Sequence, residues 1–338
     1  MSRILVTGTA GFIGFHLARA LLREGSTVIG VDNFNPYYCP ELKFARDGIL
    51  REHKKFVSVN ADIADLASVE TVFRDYKPQL VCHLAAQAGV RYSLINPYTY
   101  EKSNVQAFVN IIEQARINSV ERFVYASSSS VYGGNTKLPY SEEDPVETPV
   151  SLYAATKRSN ELIAYTYTHL WKMQTIGLRF FTVYGAWGRP DMAYWSFMEA
   201  MQHGSPIKVF NYGKNQRDFT FIDDVVKGVI SSLTTKNLDQ YEIINLGNNK
   251  PVGLMEFIST LEDLSGFKAI KEMVPAQPGD VIATYASIDK ASVKLGFKPS
   301  TQLPEGLRSF VRWYKDNPAI VEAVRTFRSS NVNSFVLS

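Results

Sequence analysis

Cysteine is scarce: among 338 residues there are only Cys39 and Cys82. Two isolated thiols make neither a disulfide framework nor a metal-ligand spacing, so no metal site is expected and a reducing cytoplasm fits. A strong charge of one sign is missing too. The formal net charge is +3, and no basic stripe with interleaved aromatics marks a nucleic-acid surface. No apolar run approaches the ~20 residues of a membrane helix. The first apolar run, broken by glycines, reads as a strand rather than as a secretory leader. These absences leave a soluble cytoplasmic protein as the expectation. Hydrophobic content of 45% and charged content of 20% are ordinary for one. The length suffices for one large core and a smaller lobe.

What is present is an alternation. Near-continuous apolar segments at 4–8, 27–32, 56–59, 79–86, 122–127 and 175–181 read as strands, with helical patterns between them, notably 12–23, 98–115 and 153–171. Buried strands that alternate with helices predict an α/β fold: a doubly wound, Rossmann-type parallel sheet covered on both faces. After Gly185 the alternation weakens. Short strands (207–211, 241–246) mix with helices (224–233, 254–264), and Pro/Gly breaks fall at 188–190 and 277–280. The expected division is a cofactor domain over 1–185 to which the chain returns near 219–248. A smaller mixed α/β lobe spans 186–218 and 249–328, and a polar tail runs over 329–338.

Gly8, Gly11 and Gly14 stand between the first strand and the first helix. Glycines there permit a tight turn, close approach of backbone to a pyrophosphate, and close helix–strand packing. The free N–H groups and dipole of the helix start, beside Phe12 and Ile13, favour phosphate. A glycine trio alone also suits a plain strand-to-helix turn. Asp32, however, ends the second strand, where a carboxylate can accept both ribose hydroxyls and repel a 2′-phosphate; this selects NAD over NADP. Asp62 and Ile63 follow the third strand and are expected near adenine. The small residues Leu84, Ala85 and Ala86 let a flat cofactor lie over the sheet edge. His83 reads as a satisfied core histidine.

Tyr153 and Lys157 stand at i and i+4, on one face of a helix. A free phenol, with a pKa of about 10, is a poor base at neutral pH. A neighbouring ammonium and a cationic nicotinamide ring favour phenolate, so a lowered value is expected. Ser127–Ser130 end the fifth strand, where a hydroxyl faces the ligand crevice and can share a proton with Tyr153.

These motifs resemble the extended short-chain dehydrogenase/reductase family, together with Ser-Ser-Val131-Tyr132-Gly133, and Arg217-Asp218-Phe219 ahead of Asp223-Asp224-Val225. The similarity spans nearly the whole chain. Within the family the nearest group is the NAD-dependent UDP-glucuronate 4-epimerases, through 86–93, 180–185, 187–193 and 277–281. The resemblance implies Tyr153 as base, Lys157 as its helper, and Ser128 as the catalytic hydroxyl. It implies Arg217 on the diphosphate and Asp280 in a segment that closes over the nucleotide. Arg91, Ser129, Ser130, Thr182 and Arg189 are the further substrate-binding candidates, with Arg189, Thr182 and the two serines for a uronate carboxylate. The expected reaction is interconversion of UDP-glucuronate and UDP-galacturonate through a 4-keto sugar, by a homodimer pairing its 98–115 and 153–171 helices.

Ala186 replaces a proline usual in that group, which predicts a looser loop before Arg189. Decarboxylases and dehydratases of the family place acidic residues where Ser129 and Ser130 stand. UDP-galactose-type epimerases carry asparagine where Thr182 stands. Both rivals lose ground, the second less than the first.

Overall fold

In a computed structural model, residues 2–276 and 282–330 are described. The first half runs β1 (Arg3–Thr7), α1 (Phe12–Arg23), β2 (Thr27–Asp32), α2 (Pro40–Arg51), β3 (Phe56–Asn60), α3 (Leu66–Tyr76) and β4 (Leu80–His83). Two short helices, α4 (Tyr92–Ile95) and α5 (Pro97–Tyr100), lead through a π-helical segment, Glu101–Gln106, into α6 (Ala107–Ile117). Then come β5 (Arg122–Ser128), α7 (Leu152–Trp171) and β6 (Thr175–Phe180). The second half runs β7 (Thr182–Tyr184), α8 (Ala193–Gln202), β8 (Pro206–Val209), β9 (Gln216–Phe221), α9 (Ile222–Thr234) and β10 (Tyr241–Leu246). It ends with β11 (Pro251–Gly253), α10 (Leu254–Ser265), β12 (Ile270–Met273), β13 (Ala283–Thr284), α11 (Asp289–Leu295), α12 (Leu303–Asp316) and α13 (Pro318–Ser330).

Seven strands form one parallel sheet in the order β10-β6-β5-β4-β1-β2-β3. Its inner strands are buried on both faces, which is why they read as unbroken apolar runs. Phe15, Leu21, Val225 and Val229 of α1 and α9 cover one face. Val69, Phe73, Phe108, Ile111 and Ala164 of α3, α6 and α7 cover the other. β10 lies beside β6, so the chain re-enters the sheet after β7, β8 and β9. β9 pairs with β7, β11 and β13 in a small second sheet beyond the carboxyl edge. An aromatic cluster of Tyr184, Tyr194, Trp195, Phe310 and Trp313 packs that lobe and takes in Tyr38 and Leu42 from the first half.

The strand expected over 207–211 ends at Val209, where a 3-10 turn begins, and two further elements that bear on the site differ from the periodicity. The strand expected over 79–86 stops at His83. Beyond it the Ala85 N–H turns to the Thr7 hydroxyl (3.1 Å), so Leu84–Ala86 leave the sheet at its open edge. The helix expected over 98–115 is interrupted by the π-helical turn, which rotates Asn104 into the interior. There Asn104 accepts from Gln87 N–H (2.8 Å) and donates to Gln87 O (3.0 Å) and the Thr156 hydroxyl (3.1 Å). One wide turn thus ties the loop after β4 to α7.

α7 is bound to the sheet by a buried charge. Glu161 accepts from Ser127 Oγ (2.6 Å), bidentately from Arg179 (2.8 and 2.9 Å), and from Arg158 (3.1 Å). Ser127 and Arg179 face each other across β5 and β6, and Glu161 and Arg179 are both fully buried. Removing one member of a buried pair strands the other's charge. Glu161→Ala should therefore lower unfolding free energy by about 3–5 kcal/mol in denaturant titration. Lys268→Ala, which removes one partner of an exposed 3.8 Å pair with Asp263, should change it by less than about 1 kcal/mol.

Candidate active site

Three glycines leave no room for a side chain in the β1–α1 turn. Gly8 has φ +80°, and a Cβ on Gly14 would sit 2.1 Å from Gly8 O. On Gly11 it would lie 2.9 Å from the same oxygen, and on Gly8 2.9 Å from Ala85 N. All the obstacles are backbone, so none can yield. The Asp32 carboxylate closes the turn from the side, accepting from Ala10 N–H (3.0 Å) and Phe34 N–H (2.9 Å). Each oxygen keeps acceptor capacity for a ribose hydroxyl. His83 pairs through Nδ1 with the Thr7 hydroxyl at 2.9 Å. Burial, and then the charge of Lys157, push its pKa down to about 3, so it is neutral at working pH.

A cavity of about 680 Å³ opens along the carboxyl edge of the sheet. Its wall contains Gly8, Gly11, Phe12, Ile13, Gly14, Asp32, Asp62, Ile63, Leu84, Ala85 and Ala86 at one end. It contains Arg91, Ser128, Ser129, Ser130, Tyr153, Lys157, Thr182, Arg189 and Arg217 at the other. The wall therefore includes every candidate from the sequence except Asp280, which lies outside the described residues. The glycine turn, the carboxylate ending β2 and the flat edge at Leu84–Ala86 form a cradle that fits a dinucleotide.

Tyr153 stands in the first turn of α7, started by Ser151, whose hydroxyl accepts from Ala154 N–H. Lys157 lies one turn on and donates to Ala126 O (2.9 Å). Ser128 Oγ accepts from Ser130 N–H and donates to Ser130 Oγ, both at 3.2 Å. The expected lowering of the Tyr153 pKa rests in part on a bound nicotinamide, and in the chain alone the balance is different. Burial raises it, and the Ser128 hydrogen bond and the Arg189 charge only partly offset that. The ammonium of Lys157, 6.0 Å from the Tyr153 ring centre, is itself pushed down to about 8 by burial. The cation that eases ionisation of Tyr153 is thus Arg189.

Arg189 is held by Asp191 through Nε–Oδ1 (3.1 Å) and Nη2–Oδ2 (2.9 Å). Burial works against its charge, but Asp191 and then Tyr37 keep its pKa above the ordinary arginine value. The loop before it is not loose. The Ala186 carbonyl accepts from His16 Nε2 (2.9 Å). The Trp187 and Gly188 carbonyls accept from Arg46 (2.6 and 3.1 Å). The Trp187 ring packs between Phe15 and Trp313. These contacts fix without proline a loop that proline would have stiffened. Arg217, on β9, donates to Gln216 O (2.8 Å), and Arg91 lies over the Phe210 ring. Asp191, Asn104 and Arg46 escaped sequence reasoning: Asn104 and Arg46 act through partners that no local spacing announces, and Asp191, two residues from Arg189, was passed over within the loop motif.

A dinucleotide turn facing a Ser–Tyr–Lys set across the carboxyl edge of a parallel sheet defines the active site of a nicotinamide-dependent enzyme. The NAD dependent epimerase/dehydratase family model matches residues 4–247, and the chain belongs to that family. An uncharacterized protein of Methanocaldococcus jannaschii is 51% identical over 93% of this chain and 96% of its own. The probable UDP-glucuronate 4-epimerase of Rhizobium meliloti is 43% identical over 93% of this chain and 97% of its own. The crystal structure of UDP-glucuronic acid 4-epimerase from Bacillus cereus, in complex with UDP-glucuronic acid and NAD, superposes with a TM-score of 0.87. It is 34% identical and covers 93% of this chain and 99% of that one. The chain is an NAD-dependent epimerase.

The Ser128 hydroxyl, when it turns its proton from Ser130 to the phenol oxygen, and the charge of Arg189 both favour the Tyr153 phenolate. Removing either raises the phenol pKa further. In Ser128→Ala and in Arg189→Gln, the acid limb of the kcat/KM profile should therefore move to higher pH than in the parent enzyme, read from initial rates across pH. Tyr153→Phe should lower kcat on the order of 10²–10⁴-fold at every pH.

Proposed function

We propose that the chain interconverts UDP-glucuronate and UDP-galacturonate at C4. The observation that carries this reading is the grouping of Ser128, Tyr153 and Arg189 in one cavity, with Arg189 electrostatically coupled to the base. The named relatives and the Bacillus cereus complex support it. Ser128 orients the sugar 4-hydroxyl and Tyr153 removes its proton. NAD, when bound, takes the C4 hydride and gives it back. Once the 4-keto sugar has turned, the hydride would return to the opposite face of C4, and Tyr153 gives the proton back to the C4 oxygen. Arg217 holds the diphosphate while the sugar turns, so binding energy remote from C4 retains the intermediate. Lys157, fixed on Ala126 O, supplies a nearby cation and a donor for the cofactor ribose. Asp62 and Ile63 contact adenine. Ser129, Ser130, Thr182 and Arg91 contact the substrate, and Arg189 pairs with its carboxylate. In this reading residues 1–185 with 219–248 hold the cofactor and lend several substrate contacts, and 186–218 with 249–328 make up the rest of the sugar-nucleotide site.

One observation favours a second reading, a UDP-glucose/UDP-galactose 4-epimerase. Asp191 already neutralises Arg189, so a neutral sugar meets no unpaired cation there. Product analysis decides between them. Purified enzyme with NAD should convert UDP-glucuronate to UDP-galacturonate without CO2 release and turn over little UDP-glucose. Turnover of UDP-glucose alone would overturn the carboxylate assignment, and a pentose product with CO2 would overturn the epimerase assignment.

The same reading places the enzyme in the cytoplasm as a homodimer. Among the described residues, no helix is long and apolar enough to cross a membrane. α6 and α7 leave Val109, Leu162, Tyr165 and Leu170 exposed on their outer sides, an apolar area of the kind a second copy covers. Light scattering should give twice the chain mass, and Leu162→Glu with Tyr165→Glu should halve it.

A further inference from the structure

Arg46 projects from α2 into the junction of the two lobes and is fully buried. Its Nη1 donates to Ala10 O (2.7 Å) and Tyr38 Oη (2.8 Å). Its Nη2 donates to Trp187 O (2.6 Å) and Gly188 O (3.1 Å). Among the described residues no carboxylate pairs with it, and its Nε has no acceptor. Arginine keeps its charge at any working pH. A cation buried among neutral oxygens is a costly way to join two segments. The position of those segments gives it a use.

Ala10 lies inside the glycine turn. Its N–H is held by Asp32 and its carbonyl by Arg46, so the peptide that borders the phosphate cradle is gripped at both ends. Trp187 has φ +60°, a left-handed conformation that a bulky residue keeps only when its surroundings enforce it. Arg46 supplies two of the bonds that enforce it, on the carbonyls immediately before Arg189. A planar fork with fixed donor directions cannot follow one loop without leaving the other.

We propose that Arg46 is a positioning residue that couples the cofactor turn to the substrate loop, so that NAD and the sugar nucleotide tighten each other's binding. The proposal rests on the cofactor and substrate assignments made under Proposed function. Linkage requires the effect to be reciprocal.

Equilibrium dialysis of NAD against the full chain, alone and with saturating UDP-glucuronate or UDP-glucose, reads the coupling directly. In the parent enzyme the substrate should tighten NAD by at least about 5-fold, the lower end of usual coupling factors. In Arg46→Lys, which keeps the charge but loses the fork, the factor should fall below about 2-fold. Tyr38→Phe removes one of the four partners and leaves the charge in place. It should lower the factor part-way, and it carries the test if Arg46→Lys does not fold. If both ligands bind more weakly in the variants while the coupling factor is unchanged, Arg46 is only structural and the proposal falls. It falls too if neither sugar nucleotide tightens NAD in the parent enzyme. If UDP-glucose alone does so, and the variants lose the effect, the uronate assignment fails while the coupling stands.

Discussion

The buried Glu161 carboxylate decides where the catalytic helix lies. α7 meets β5 at successive turns: Tyr153 beside Ser128, Lys157 on Ala126 O, and Glu161 on the Ser127 hydroxyl. Arg179, on the next strand, completes the pair and lies under the Tyr132 ring. Two charges with paired geometry and almost no exposure admit few alternative arrangements. Sliding the helix by one residue would break all three contacts. The spacing between base and serine hydroxyl is thus set by an anchor two turns away from the chemistry.

That anchor was half legible in the sequence. Tyr153, Lys157 and Glu161 continue one i, i+4 series, so a carboxylate on the buried face of the helix was there to be read. What spacing could not supply was its partner, since Arg179 and Ser127 reach it only when β5 and β6 pair. The glycine turn was legible for the opposite reason. Gly8, Gly11 and Gly14 crowd one another's backbone, and their constraint is local. The doubly wound parallel sheet followed from alternation of apolar strands and helices. The π-helical turn did not, because its apolar spacing passes for α-helix until Asn104 is seen to hold Gln87 and Thr156. The loop before Arg189 was misread because residue type alone suggested slackness. Its rigidity comes from His16 and Arg46, more than a hundred residues away.

The two lobes share their packing as well as their cavity. Tyr38 and Leu42 belong by sequence to the cofactor half, yet they pack in the aromatic cluster of the other. The loops at 35–38 and 186–191 are therefore packed as a set. Tyr37 hydrogen-bonds Asp191, and Asp191 orients Arg189. The Arg189 side chain is in this way braced from the first half of the chain, which fixes its place in the cavity relative to the glycine turn.

Under the proposed function, Arg189 has two tasks that oppose each other. Its positive charge offsets part of the burial that keeps the Tyr153 phenol protonated. A uronate carboxylate drawn to the same guanidinium would screen that charge and weaken the base at the moment of binding. Asp191 softens the conflict, since it already neutralises Arg189 in the free site, and a second carboxylate then changes the field at Tyr153 by less than it would against a bare cation. Recognition of a charged sugar and ionisation of the base can then share one small cavity.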